Sequence, residues 1–191
     1  MRVKAFAEDR TSRRGQGSFT LFRGDWLAVT QSTWSHSGIN QDVNVHNVLR
    51  FERADGSVIP QSASDTLQSA MTATSSGGMV TVNANLTNAY WRNTDTVQSW
   101  TRKFEFAGNT LRVTDACSVA AGVRPVFQVQ VPVAPVQLAD GSVRAGNLTI
   151  VPLQGVTATW TALAGAEFSR GYRIDFRPTS GCSFSMELRA Q

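Results

Sequence analysis

Imidazole is the side chain whose charge changes near neutral pH and the one that most often ligates a metal, so the two histidines, His36 and His46, come first,. A catalytic zinc site needs about three protein ligands, usually His with a carboxylate. Beside these two histidines the chain offers carboxylates such as Asp55 and Asp65 but no further His, an incomplete set, so neither a metal nor another cofactor is expected. A lone His on a strand has little diagnostic value and is ordinarily a hydrogen-bonded structural group. Asn47 follows His46 and so points to the opposite face of a strand, where it would brace a loop,. Trp34, Tyr90 and Trp91 stand in polar surroundings that read as loops. Aromatic rings there either stack on sugar rings or fold back over the body of the protein. Asp115 ends a strand pattern and reads as a turn brace rather than an acid,. No GxSxG, HExxH, Walker or Rossmann pattern is present,.

The elements that must carry these residues are strands. In Gly17–Val29, Phe19 and Leu21 alternate with Ser18 and Thr20, and Arg23-Gly24-Asp25 separates this run from the apolar Trp26-Leu27-Ala28-Val29. That predicts two strands joined by a tight turn. Residues 31–42 read as a loop presenting Trp34 and His36, and residues 43–52 as a strand with His46 in its middle,. Ala54-Asp55-Gly56 is a turn, followed by a short strand at Val58-Ile59 that Pro60 stops,. Residues 67–74 and 79–86 pair across Ser75-Ser76-Gly77-Gly78, and residues 97–106 and 110–117 across Ala107-Gly108-Asn109,. Residues 88–95 are a loop. Strands are predicted at 124–133, 147–152, 156–163, 171–177 and 182–189, with a turn at Asp140-Gly141,. Trp26, Trp100 and Trp160 fall in these strands and are expected in the core. No segment carries a long helical period. About a dozen short strands with regular turn signals predict an all-β fold, an antiparallel β-sandwich.

The 191 residues suffice for one such domain, expected over 16–191, preceded by a basic arm or edge strand at 1–15,. The formal charge of +4 rests almost wholly on Arg, and Arg2, Lys4, Arg10, Arg13, Arg14 and Arg23 cluster early. A basic patch suits an acidic polysaccharide or a nucleic acid. No basic platform interleaved with aromatics occurs, so nucleic acid is not expected as a partner. No stretch is long and apolar enough to span a membrane, so none is expected there either. The start, Met1–Asp9, lacks the apolar region of a signal peptide,. The two cysteines, Cys117 and Cys182, have no metal-ligand spacing and form either one disulfide or two buried thiols,.

Three blocks together resemble the C-terminal β-sandwich of the heparinase II/III-like polysaccharide lyases. They are Gly17–Val29; His46-Asn47-Val48-Leu49 with the Asp55-Gly56 turn after it; and Ala84–Tyr90 followed by Val97–Arg102 and Leu111–Asp115. Where members tend to carry a His and an Asp before the first block, this chain reads Arg13-Arg14-Gly15-Gln16. The resemblance implies β-elimination across a uronic acid. In that reaction a base removes the C5 proton while the carboxylate charge is neutralised. It implies His46 as the catalytic residue and Trp34, His36, Asn47, Tyr90 and Trp91 as substrate-binding candidates. It further implies an acidic polysaccharide as partner, and an α/α-toroid domain or subunit, absent from this sequence, as the source of the remaining catalytic groups. Whether the chain is itself an enzyme stays open. A periplasmic or extracellular location would follow if it belongs to a longer secreted lyase. The alternatives are a sandwich that binds acidic glycan without cleaving it, and a structural sandwich without a ligand.

Overall fold

Alternation decides the fold. Along residues 97–107 the side chains of Trp100, Arg102 and Phe104 are buried while Thr101 is exposed, the period of a strand with one covered face. A computed structural model describes residues 2–5, 15–30, 42–62, 69–163 and 171–191, with backbone alone at 2–5. Its strands are β1 (Arg2–Ala5), β2 (Phe19–Arg23), β3 (Asp25–Ala28), β4 (Leu49–Glu52), β5 (Val58–Ile59), β6 (Ala70–Ser76), β7 (Met79–Asn85) and β8 (Val97–Ala107). They continue as β9 (Thr110–Val119), β10 (Arg124–Val131), β11 (Val136–Gln137), β12 (Val143–Ala145), β13 (Leu148–Pro152), β14 (Val156–Leu163), β15 (Gly171–Pro178) and β16 (Phe184–Ala190).

All pairings are antiparallel. Eight strands form one sheet in the order β11-β12-β13-β16-β9-β8-β7-β6, and five form another, β14-β15-β10-β4-β5. The two face each other as a sandwich. Phe127 of β10 lies 5.9 Å from Phe184 of β16, and Phe51 of β4 lies 6.1 Å from Trp100 of β8, ring centre to ring centre. A third sheet, β1-β2-β3, closes one side. Its Phe19 reaches both Phe104 and Phe127, and Val29, just past β3, bridges to Gln130 of β10.

The all-β sandwich expected from the sequence is the fold found, with corrections of detail. Of the stretch 1–15, read as an arm or an edge strand, Arg2–Ala5 form the edge strand β1 beside β2. Residues 43–52 are not one strand. Val43–Val45 form a 3-10 turn capped by the Asp42 side chain, and β4 begins only at Leu49. The physical reason lies elsewhere in the chain. The side-chain amides of Gln128 and Gln130 on β10 donate to the carbonyls of Val43, His46 and Asn44, and so take the groups that a strand would have paired. Residues 88–95 are not an open loop, because Thr87–Asn93 form 3-10 turns with Tyr90 in the core. Of the three strand tryptophans only Trp100 is core. Trp26 is 49% exposed on the β2–β3 hairpin, and Trp160 is 38% exposed on the edge strand β14. Cys117 and Cys182 form a disulfide.

Candidate functional site

His46 leaves the 3-10 turn with an extended backbone and is 3% exposed. The backbone of residue 15 comes so close that a Cβ there would stand 3.0 Å from the ring, so glycine is the residue that fits at Gly15,. The Thr30 hydroxyl donates to the carbonyl of Val45 at 3.2 Å and lies 2.9 Å from Nδ1 of His46. Which of the two donates in that contact depends on the ring's tautomer,. Burial pushes the His46 pKa down to about 4, only partly offset by the nearby Asp42 carboxylate,. At neutral pH the ring is therefore uncharged. It can take part in hydrogen bonds, but it is a weak base and cannot neutralise a substrate carboxylate.

Asn47 is fully buried and braces three strands. Its side-chain amide donates to the carbonyls of Phe19 (2.6 Å) and Val29 (2.9 Å), and its side-chain oxygen accepts from the backbone N–H of Gln130 at 2.7 Å. It is not placed to meet a substrate. Neither is Tyr90, which is 0% exposed and packs edge-on against Phe51 at 5.2 Å. Burial pushes the Tyr90 hydroxyl pKa up, so it stays protonated. Trp91 is the exposed member of that pair, at 40%, with the Arg92 guanidinium 4.9 Å from its ring centre, an arrangement that joins a stacking surface to a positive charge. Trp34 and His36 lie outside the described residues.

Two buried ionic clusters were not foreseen. In the first, the fully buried Arg102 grips Asp115 with two parallel bonds, Nε to Oδ1 and Nη2 to Oδ2, each 2.8 Å. The Trp100 indole N–H also donates to Asp115, at 2.7 Å. Nη1 of Arg102 donates to the carbonyls of Gly17 (2.8 Å) and Asn47 (3.1 Å). Asp115 therefore sits inside β9 and holds an arginine; it braces no turn. The visible signal was an Arg on the apolar face of the Trp100–Phe104 run. In the second cluster Arg50, 1% exposed, lies between Glu52 (2.7 Å) and Asp175 (2.8 Å), and Arg173 and Arg177 pair with the same carboxylates from the rim. Burial pushes the Glu52 carboxyl up, but hydrogen bonds from Arg177 and Arg50 outweigh it and hold the pKa below the usual range.

A shallow trough of about 460 Å³ crosses the outer face of the eight-stranded sheet, with Thr72, Asn83, Asn85, Thr101, Lys103 and Thr114 among its walls. No aromatic residue lines it. The described residues contain no cluster of three His, Cys, Asp or Glu able to hold a metal. No described helix is long and apolar enough to cross a membrane.

No family model matches the chain, and no curated protein matches it. Among solved structures it is similar to a mutant of the heparan sulfate lyase HepC from Pedobacter heparinus, with 12% identity and a TM-score of 0.59. The match covers 91% of this chain and 30% of that one. The likeness is one of fold. It joins this sandwich to part of a polysaccharide lyase, and this chain spans about a third of that lyase's length.

Proposed function

We propose that this chain is the β-sandwich module of a heparinase II/III-like polysaccharide lyase that cleaves uronate-containing glycans by β-elimination. The observation that carries the reading is the fold shared with a heparan sulfate lyase over 91% of the chain. The order of the three sequence blocks supports it, since Gly17, Asn47, Arg102 and Asp115 from those blocks meet in one buried cluster. In β-elimination the C5–H bond breaks, its electron pair forms the C4–C5 double bond, and the C4–O bond breaks with the glycan oxygen taking a proton. His46, neutral and buried, serves here as a hydrogen-bonding group at the wall of the site. The charge that neutralises the uronate, and the proton-transfer groups, come from a toroid domain or subunit. Trp91 and Arg92 form a glycan contact by stacking and charge. The Cys117–Cys182 disulfide fits a periplasmic or extracellular setting,.

Titration calorimetry with heparan sulfate, alginate and hyaluronan tests this reading, alongside ultraviolet detection of the unsaturated uronate. The chain alone is expected to bind at least one of the three without forming product. Trp91→Ala is expected to weaken that binding about tenfold. No heat with any of the three overturns the glycan contact, and product from the chain alone overturns the need for a toroid. The near-complete closure of His46 favours a second reading, a sandwich that holds acidic glycan without cleaving it. Under that reading His46→Gln alters stability and leaves glycan binding unchanged.

A further inference from the structure

The edge of the eight-stranded sheet at β6 is long and open. All seven residues of β6 are exposed, and among the described residues it pairs only with β7. Edge strands are ordinarily blunted by charge, proline, a bulge or brevity, because unpaired N–H and C=O groups recruit other strands. The other end of this sheet, β11, and one end of the five-stranded sheet, β5, are each two residues long. In contrast β6 runs in unbroken register with β7, and residues 70–85 contain neither a charged residue nor a proline.

The turn fixes which groups the edge presents. Gly77 and Gly78 have φ of 57° and 78°, as a two-residue type I′ hairpin requires. Ser76 and Met79 then form the terminal hydrogen-bonded pair, and such pairs recur at Thr74–Thr81, Thr72–Asn83 and Ala70–Asn85,. The residues between them, Met71, Ala73 and Ser75, turn their N–H and C=O groups outward. Their side chains share the face that packs in the core further along the sheet, but along β6 that face is exposed. Met71 is 47% exposed and Val80 39%.

We infer that β6 is a dimerisation edge, pairing antiparallel with β6 of a second copy of this chain about a dyad at Ala73. Ala73 then faces its own counterpart, Met71 faces Ser75, and about six backbone hydrogen bonds join the two sheets. The occupant is a second copy because the edge complements itself. A small residue stands at the dyad, no charge meets its own image, and the exposed Met71 and Val80 of the two copies cover one another. Elsewhere the surface carries the chain's positive charge, which opposes self-association,. A strand edge buries less than the roughly 1,200 Å² of a standard interface, so the dimer is weak and dissociates on dilution.

Sedimentation velocity over a dilution series tests this with the wild type, Ala73→Lys, Ala73→Glu and an equal mixture of the two variants. The wild type is expected to pass from monomer to dimer as concentration rises. Each variant places like charges directly opposite at the dyad, and is expected to dimerise at least about tenfold more weakly. The mixture is expected to recover dimer. In the wild type the amides of Met71, Ala73 and Ser75 are expected to exchange more slowly with deuterium as concentration rises, a readout independent of whether the variants fold. A wild type that stays monomeric throughout, or a dimer unaffected by Ala73→Lys, overturns the proposal. So does growth beyond dimer, the mark of head-to-tail pairing between β6 and the other long uncharged edge, β14.

Discussion

Arg102 is fully buried and its charge is answered by one carboxylate, Asp115. A buried pair adds little net stability over an apolar substitute, but removing one partner leaves an uncompensated charge. Asp115→Asn keeps the shape and removes the countercharge, so it is expected to destabilise the fold by about 3–5 kcal/mol in urea unfolding. A loss under about 1 kcal/mol would mean that water reaches Arg102. At His46 the folded state holds the pKa near 4 against an ordinary 6.5. Above pH 6.5 both folded and unfolded chains carry a neutral ring, and stability does not depend on it. Between pH 6.5 and about 4 the unfolded chain gains a proton that the folded chain refuses, so stability falls with pH, by about 3 kcal/mol at most. His46→Gln is expected to flatten that part of the acid limb; an unchanged limb would place the titration elsewhere. His46 was legible as the residue to question, but its burial was not, because Gly15 and Thr30 close it from distant positions in the chain.

Strands were legible wherever the alternation was local. The paired strands at 97–106 and 110–117 were read correctly because nothing outside the hairpin decides them, and the Gly77-Gly78 turn announces β6 and β7. The mixed apolar run from Val43 to Val48 reads as a strand as well, yet Val43–Val45 fold into a 3-10 turn and amides on β10 take the carbonyls of this stretch. Gln128 also accepts from Arg50, so one side chain supports both the turn and the buried cluster. Gln128→Leu removes one donor from each of those carbonyls, which keep the backbone N–H groups of His46 and Val48, and one acceptor from Arg50, which keeps Asp175, at a cost of about 1–3 kcal/mol in all. Hydrogen exchange is expected to quicken at His46 and Val48 more than in β9. Uniform loss of protection across both would show that the turn has no separate stability.

At the scale of the molecule, strand count and turn spacing were enough to predict a sandwich, but not the third sheet that closes one side or the pairing of the cysteines. Both depend on contacts between residues far apart in sequence, for which periodicity carries no signal. The disulfide joins β9 to the residue pair before β16, two neighbouring strands of the eight-stranded sheet, across a sequence separation of 65. The sheet already holds these strands in register, so the bond changes the folded state little and acts chiefly by shortening the free chain of the unfolded state. Chain-entropy reasoning gives roughly 4 kcal/mol for a loop of this length. Urea unfolding with and without reductant, and of Cys117→Ser/Cys182→Ser, is expected to show a loss of about 2–4 kcal/mol. The m-value should rise on reduction, since the unlinked unfolded chain exposes more surface. A midpoint that does not move would mean that pairing between β9 and β16 already confines the unfolded ensemble, and that the two strands stay associated after the rest of the sandwich opens.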